Sequence, residues 1–273
     1  MRMAPPVTRF DAAFGARAVG SQPGLIPYIT AGYPGLESTV ALLAVAQEVG
    51  CLAAEVGIPF SDPLADGPTI QRSGQVALRN GMTLAIALTQ VRAARDAGVD
   101  IPLAVMTYVN PVLSLGIDAF ANAAAAAGVD GVIVPDLPLD EADDARACLH
   151  QAGVALIPLV APTTPPERLA RICASAAGFV YCVGVAGVTG ARRVIAKDAI
   201  ELLDSVRTLT AVPRALGFGL STHAHLAALR GHAEGAVVGS ALIDSIGVDA
   251  VAAAANAERF LRGMIGLEVM RAG

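Results

Sequence analysis

Apolar and amphipathic segments alternate along most of this chain. Between residues 25 and 265, a short apolar run, a few turn residues and an amphipathic stretch follow one another eight times. The apolar runs predict strands over residues 25–30, 52–58, 102–108, 131–135, 155–160, 179–183, 213–217 and 235–239. The amphipathic stretches predict helices over residues 36–49, 83–97, 116–127, 140–152, 165–177, 198–209, 221–232 and 248–265. A further short helix is predicted before them, over residues 9–19.

The repeated strand–helix unit predicts the fold class. The run Gly131–Val134 is apolar throughout, which is typical of a parallel strand whose outer face is covered. Several helices are closed just before the next strand by a glycine, namely Gly50, Gly98, Gly128, Gly153 and Gly178. Eight such units predict an α/β protein with a closed (β/α)8 or TIM barrel, formed by one domain over residues 1–273 with a short N-terminal extra helix. An open doubly wound sheet is the alternative.

The composition excludes several classes of protein. The chain of 273 residues is 54% hydrophobic and 16% charged, so it can bury a large core and is not expected to be disordered. A net charge of −5 gives no basic surface for nucleic acid, and no apolar run reaches membrane-spanning length. The segment Met1–Phe10 lacks the apolar core of a signal peptide. Unpaired cysteine spacing argues against structural zinc or a disulfide framework and favours a reducing cytoplasm; the residues are Cys51, Cys148, Cys173 and Cys182.

Two carboxylates are the first candidates for chemistry. Glu55 lies inside the second apolar run, and the alternation of strand side chains places it in the barrel interior. Burial there is expected to raise its pKa towards neutrality, which suits general acid–base catalysis. Asp66 follows in a loop stiffened by prolines, at the same end of the barrel. Two interpretations stay open: Glu55 as a buried acid paired with Tyr108 or Asn110, and Asp66, like Asp62, as an ordinary turn residue.

Glycine-containing turns follow the last three predicted strands, over residues 187–190, 217–219 and 239–240. The loops after the seventh and eighth strands of such barrels often bind phosphate, and glycine lets backbone N–H groups approach the oxygens. The long segment 185–195 contains Arg192 and Arg193 and is predicted to be a lid over the substrate. Ordinary turns and a solvated basic loop are the alternatives.

The other reactive residues narrow the chemistry. Lys197 is the sole lysine and lies at the start of a predicted helix, which argues against a Schiff-base aldolase. A histidine metal site is not expected, because all the histidines fall within predicted helices: His150, His223, His225 and His232. No nucleophile elbow, P-loop or dinucleotide fingerprint occurs. The residues alone favour acid–base chemistry without a cofactor or metal on a phosphorylated substrate, and a phosphate-binding barrel isomerase stays open.

Seven motifs, in order along the chain, carry a resemblance to a known family. They are LIPYITAG (25–32), EVGIPFSDPLADGP (55–68), MTYVNP (106–111), VPDLP (134–138), GVTGAR (187–192), GFG (217–219) and GS (239–240). On these motifs the chain resembles the tryptophan synthase alpha-subunit family over nearly its full length. The resemblance implies a TIM barrel that needs no cofactor and cleaves indole-3-glycerol phosphate to indole and glyceraldehyde 3-phosphate by a retro-aldol step.

The resemblance also implies roles for individual residues. Glu55 and Asp66 match the two catalytic carboxylates of the family. Asp66 would hydrogen-bond the indole N–H, and Glu55 would exchange protons with the indole carbon and the adjacent hydroxyl. Tyr181 would lie near this pair, Tyr28 would line the indole pocket, and Thr189 would close onto Asp66. The phosphate would be held by Gly190, Phe218, Gly219, Gly239 and Ser240.

A partner follows from the same resemblance. A tryptophan synthase beta subunit would receive indole through a tunnel in an alpha2beta2 assembly, use its own pyridoxal phosphate, and contact Asp62, Pro63 and Pro138. Segment 184–186 departs from the family, in which many members carry a serine and a basic residue there, and the tail beyond Arg259 is longer than expected. The alternatives are a free-standing indole-3-glycerol phosphate lyase and a non-catalytic regulatory barrel that binds a phosphorylated ligand.

Overall fold

The computed structural model describes residues 5–17, 20–184, 195–217 and 219–267. The strands in these residues are β1 Gly24–Thr30, β2 Ala54–Gly57, β3 Leu103–Met106, β4 Gly131–Ile133, β5 Ala155–Leu156, β6 Leu159–Val160, β7 Val180–Val183, β8 Arg214–Gly217 and β9 Gly235–Val238. The helices are α1 Arg9–Gly15, α2 Ser38–Val49, α3 Pro68–Arg79, α4 Leu84–Asp96, α5 Val109–Leu115, α6 Ile117–Ala127, α7 Asp143–Gln151, α8 Pro166–Cys173, α9 Lys197–Leu209, α10 His223–Ala228, α11 Ser240–Ile246 and α12 Ala253–Met264. A 3-10 turn, Leu139–Glu141, precedes α7.

The parallel strands form one sheet that closes on itself. Their order is β5-β4-β3-β2-β1-β9-β8-β7-β6, and only Ile157 and Pro158 separate β5 from β6 along the chain. The N–H of Ile157 donates to the carbonyl of Val132 at 2.9 Å, and the carbonyl of Pro158 accepts from the N–H of Tyr181 at 2.9 Å. Proline has no N–H to donate, so the ladder is interrupted at this point. β5 and β6 are therefore two halves of the predicted fifth strand, and together they join β4 to β7. The predicted (β/α)8 barrel is confirmed, and the open sheet is wrong.

Apolar side chains form one layer around the barrel and a second layer inside it. The outer layer packs helices against strands and includes Leu43 and Val56. The inner layer includes Phe10 and Phe14 of α1, and the ring of Phe10 meets that of Phe179 edge-on at 5.4 Å. Phe179 comes just before β7, so this aromatic cluster lies at the N-terminal ends of the strands. The predicted N-terminal helix thus forms the floor of the barrel and leaves its chemistry to the opposite end.

Three helices, α3, α5 and α11, are not predicted by the sequence pattern. The residues that α3 buries are small, namely Ser73, Gly74 and Ala77, so it lacks a broad stripe of large apolar side chains. α12 corresponds to the helix predicted over residues 248–265 but begins only at Ala253, and α11 precedes that predicted range. The additional helices α3 and α11 follow strands β2 and β9 directly in the chain, so their first residues lie at the catalytic end of the barrel.

No helix in the described ranges is long and apolar enough to cross a membrane. Nor does the described part of the chain bring three His, Cys, Asp or Glu side chains together in a way that suits a metal ion. The cysteines are free thiols, and three of them, Cys51, Cys173 and Cys182, are buried.

Candidate active site

Glu55 lies in the interior of the barrel, on β2. The strand register places it beside Tyr28 of β1 on one side and Ala104 of β3 on the other. Its side chain is fully buried, and neither carboxyl oxygen has a hydrogen-bond partner among the described residues. Desolvation, with a smaller contribution from the charge of Asp66, raises the pKa of Glu55 to about 8. Glu55 therefore carries a proton near neutral pH, as an acid catalyst must before it acts.

Two glycines make room for two tyrosines beside Glu55. A Cβ atom on Gly57 would lie 1.9 Å from the hydroxyl oxygen of Tyr28, and one on Gly217 would lie 2.3 Å from that of Tyr181. Each ring thus leans across the neighbouring strand towards the C-terminal end of the barrel. The sequence predicts that Gly217 belongs to a phosphate-binding turn. In the structure it is the last residue of β8, and its missing side chain admits the ring of Tyr181. Such a clearance depends on strand register, which the sequence does not state.

Asp66 enters the site from the loop between β2 and α3. Its N–H donates to the carbonyl of Pro63 at 3.2 Å, and its carbonyl accepts from the side-chain amide of Gln71 at 2.9 Å. Burial raises the pKa of its carboxyl group to about 6, while the hydroxyl of Tyr108 acts in the opposite direction by hydrogen bonding to the charged form. Asp66 is consequently mostly ionised at neutral pH, when Glu55 is mostly protonated. The two carboxyl groups therefore differ in charge near neutral pH, which suits two different acid–base roles.

A cavity of about 300 Å³ opens at the C-terminal end of the barrel. The residues that line it are Tyr28, Asp66, Ile70, Met106, Tyr181, Gly219, Leu220, Ser221, Val237, Gly239, Ser240, Ala241 and Asp244. Six of the residues predicted to bind or act on substrate are thus brought together here: Tyr28, Asp66, Tyr181, Gly219, Gly239 and Ser240. Glu55 is fully buried and is not among the lining residues.

The predicted phosphate end lies where β8 and β9 finish. Gly239 is the N-cap of α11, and Ser240 is the first residue of that helix. Gly219 has a φ of +78°, a left-handed conformation that glycine adopts without strain. Asp244 also lines this end of the cavity, and its carboxylate accepts from the guanidinium of Arg72 at 2.6 Å, which compensates its charge. Thr189, Gly190 and Phe218, together with residues 185–194 of the predicted lid, lie outside the described residues.

The residues predicted to face a partner lie in two loops, the one between β2 and α3 and the one after β4. Asp62 and Pro138 are exposed and Pro63 is half-buried. Leu64 follows Pro63 and is 92% exposed, so the loop also presents a large apolar side chain that the sequence analysis did not single out. A large apolar residue in an otherwise polar, proline-rich loop was the signal in the sequence that could have identified Leu64.

Comparison with known proteins places these features in a family. The family described as "Tryptophan synthase alpha chain" matches residues 15–268. The tryptophan synthase alpha chain of Chloroflexus aurantiacus is 46% identical over 240 residues, which cover 88% of this chain and 90% of the relative. That of Roseiflexus castenholzii is 43% identical over 261 residues, which cover 94% of this chain and 100% of the relative.

Solved structures agree with the sequence relatives. A chain of Mycobacterium tuberculosis tryptophan synthase superposes with a TM-score of 0.85 at 38% identity, covering 94% of this chain and 98% of that one. A chain from the tryptophan synthase α2β2 complex of the hyperthermophile Pyrococcus furiosus gives a TM-score of 0.85 at 40% identity, covering 91% and 98%. The chain belongs to the tryptophan synthase alpha chain family.

Proposed function

We propose that this chain is the alpha subunit that cleaves indole-3-glycerol phosphate to indole and glyceraldehyde 3-phosphate. The observation that carries the proposal is the pair of carboxyl groups at the C-terminal end of the barrel, with pKa values of about 8 for Glu55 and about 6 for Asp66. One group holds a proton and the other a charge at the same pH. A retro-aldol cleavage of an indole side chain needs both states at once.

Glu55 acts first as an acid and then as a base. Its proton goes to the indole carbon that bears the side chain, which turns the ring into a cationic tautomer. The resulting carboxylate removes the proton from the adjacent side-chain hydroxyl, and the carbon–carbon bond breaks as that carbon becomes an aldehyde. The bonding electrons return to the indole ring, and Glu55 ends the cycle protonated, as it began. The pKa of about 8 keeps both directions of transfer accessible near neutral pH.

Asp66 stabilises the charged ring. Its carboxylate accepts a hydrogen bond from the indole N–H, and this bond strengthens as the ring gains positive charge. A hydrogen bond to a charged group contributes about 1.5–3 kcal/mol, which corresponds to roughly tenfold to hundredfold in rate when it forms mainly in the transition state. Burial of the ionised group in the cavity wall preserves this strength against screening by water.

The rest of the cavity binds the substrate. Tyr28 and Tyr181 offer aromatic surface on which the indole ring packs. The phosphate lies at the turns after β8 and β9, against Gly219, Gly239 and Ser240, and the family pattern adds Thr189, Gly190 and Phe218 to this binding set. Every group in this scheme is a side chain or backbone atom of the chain, so the proposed reaction uses no cofactor and no metal.

The partner in this proposal is a tryptophan synthase beta subunit in an alpha2beta2 assembly. Asp62 and Pro63, in the loop after β2, and Pro138, in the loop after β4, form its contact, and Leu64 adds exposed apolar surface beside Pro63. Indole passes to that subunit for tryptophan synthesis. The whole chain, residues 1–273, acts as a single domain in the cytoplasm, where free thiols remain reduced.

The test is an assay of indole release from indole-3-glycerol phosphate, with and without a purified beta subunit. We expect weak release by the isolated chain and strong activation by the partner. We expect Glu55→Gln to abolish release and Asp66→Asn to lower it roughly tenfold to hundredfold, while the fold persists in both. Strong release without any response to the partner would favour the free-standing lyase. Phosphate-ligand binding without release of indole under either condition would overturn catalysis and favour the regulatory barrel.

A further inference from the structure

Tyr108 contacts both ends of the loop that carries Asp66. It directly precedes α5, and its side chain is buried at 3% exposure. Its ring stacks on that of Phe60 with centroids 5.4 Å apart and an interplanar angle of 30°. Its hydroxyl oxygen accepts a hydrogen bond from the N–H of Ala65 at 3.1 Å. One side chain therefore holds the beginning and the end of this loop.

The same hydroxyl reaches Asp66. A phenol has one hydrogen to donate and two lone pairs with which to accept, so the bond from Ala65 leaves its hydrogen for the carboxylate. Burial, reinforced by the charge of Asp66, raises the pKa of Tyr108 itself, so it keeps this hydrogen throughout the neutral range. Donation to the carboxylate lowers the pKa of Asp66 and opposes the effect of burial. The sequence alternative that pairs Tyr108 with Glu55 is not what the structure shows.

The backbone that carries Tyr108 is itself fixed. The N–H of the next residue, Val109, donates to the side chain of Asp136 at 2.9 Å. Asp136 belongs to the loop after β4, two residues before Pro138. The phenol thus projects from a point anchored to a neighbouring loop, and its hydroxyl has a defined place relative to the cavity.

We propose that Tyr108 is a positioning residue for the alpha reaction, holding the carboxylate of Asp66 towards the indole N–H. The inference rests on the proposed function and deepens it. Charged or titratable groups face Asp66 from several strands, namely Tyr28 on β1, Glu55 on β2, Tyr108 after β3 and Tyr181 on β7. Among these the hydroxyl of Tyr108 is the one that hydrogen-bonds its charged form.

The test replaces Tyr108 with phenylalanine, which keeps the ring stacked on Phe60 and removes only the hydroxyl. We expect kcat/KM in the presence of the beta subunit to fall roughly tenfold to hundredfold, mostly through kcat. We also expect the acidic limb of the pH profile to move to higher pH, because the pKa of Asp66 rises when its donor is lost. The basic limb, which reports Glu55, should stay where it is. A merely structural role would lower the rate at every pH without moving one limb.

The matched control is Tyr33→Phe, the same change at another buried tyrosine whose charged neighbours are Arg72 and Asp244. Thermal unfolding of both variants shows whether each is folded, and Phe60→Leu, which weakens the stack and keeps the hydroxyl, should lower the rate without moving the acidic limb. An unmoved acidic limb in folded Tyr108→Phe would overturn the inference. Asp66→Asn and Glu55→Gln are assayed in parallel. If both lose activity while Tyr108→Phe behaves as wild type, only this inference fails; if both keep wild-type activity, the proposed function fails.

Discussion

Gly57→Ala tests whether the cavity at the C-terminal end of the barrel depends on the space that a glycine leaves beside Tyr28. The added methyl carbon would lie 1.9 Å from the hydroxyl oxygen of Tyr28, 2.3 Å from its Cζ and 2.7 Å from its Cε2. All three distances are far below van der Waals contact, and Gly57 is held by strand pairing to β1 and β3. The ring of Tyr28 must therefore leave its position.

Two estimates of the cost agree. Overpacking a well-packed interior by one methyl group costs about 1–3 kcal/mol. Alternatively, an aromatic side chain buries roughly 150–250 Å², so exposing about a third of it at 25 cal/mol per Å² costs about 1–2 kcal/mol. Tyr28 lines the cavity, so the same displacement should raise KM for the substrate.

Urea unfolding and steady-state kinetics measure these effects. Gly263→Ala is the matched control, because a Cβ at that position in α12 meets nothing within 4 Å and alanine favours a helix. In a Tyr28→Leu background, which removes the three clashing atoms, Gly57→Ala should cost little, giving a coupling energy of about 1–2 kcal/mol. Wild-type stability and KM in the Gly57→Ala variant would contradict the predicted displacement of Tyr28. An equal loss of unfolding free energy in the wild-type and Tyr28→Leu backgrounds would contradict it as well.

Three further outcomes are expected. The pH profile of kcat/KM should be bell-shaped, with a fall below pH about 6 as Asp66 gains a proton and a fall above pH about 8 as Glu55 loses one. A flat profile would show that the two carboxyl groups do not take part in catalysis. Burial raises the pKa of Glu55 from 4.5 to about 8, so the folded state binds more protons than the unfolded state between these pH values. The free energy of unfolding of wild type should therefore fall, on the order of a few kcal/mol, as pH rises from 4.5 to about 8. Denaturant titrations should show a smaller fall for Glu55→Gln. Asp130 accepts hydrogen bonds from Arg95 at 2.6 Å, from Arg9 at 3.1 Å and from the N–H of Leu103 at 2.9 Å, so Asp130→Asn should destabilise the fold by about 3–5 kcal/mol while the folded enzyme keeps its KM. An unchanged unfolding midpoint would show that this buried ion pair is not needed.

The barrel was predictable because its period is written in the sequence, whereas its irregularities depend on tertiary contacts. Apolar runs repeat eight times, which determines the number of strands, and five of the intervening helices are closed by a glycine. The fifth strand is split at Pro158 because proline has no N–H to donate. The split was not predictable, because the strands that flank this position, β4 and β7, are distant from it in sequence. Strand alternation predicts that Leu52 faces the helices, yet it precedes β2 and packs inside the barrel.

The site was predictable where one residue type is chemically improbable in its surroundings. A glutamate within an apolar strand signals Glu55 directly, and the proline-rich loop signals Asp66. The part played by Tyr108 was not predictable, because its hydroxyl could reach either carboxylate until the loop conformation was known. The need for glycine at positions 57 and 217 was not predictable either, because it arises from the rings of Tyr28 and Tyr181 that occupy the space beside these residues.

The aromatic floor made by Phe10, Phe14 and Phe179 affects how substrate enters the barrel and how products leave it. Because these rings fill the barrel at the N-terminal ends of its strands, the part of the chain that the structure describes leaves the C-terminal end as the route for substrate and for both products. A partner protein bound at the C-terminal end of the barrel would contact that route. Product release, rather than cleavage of the carbon–carbon bond, can then limit turnover. A bound partner that provided a second exit for one product would remove this limit.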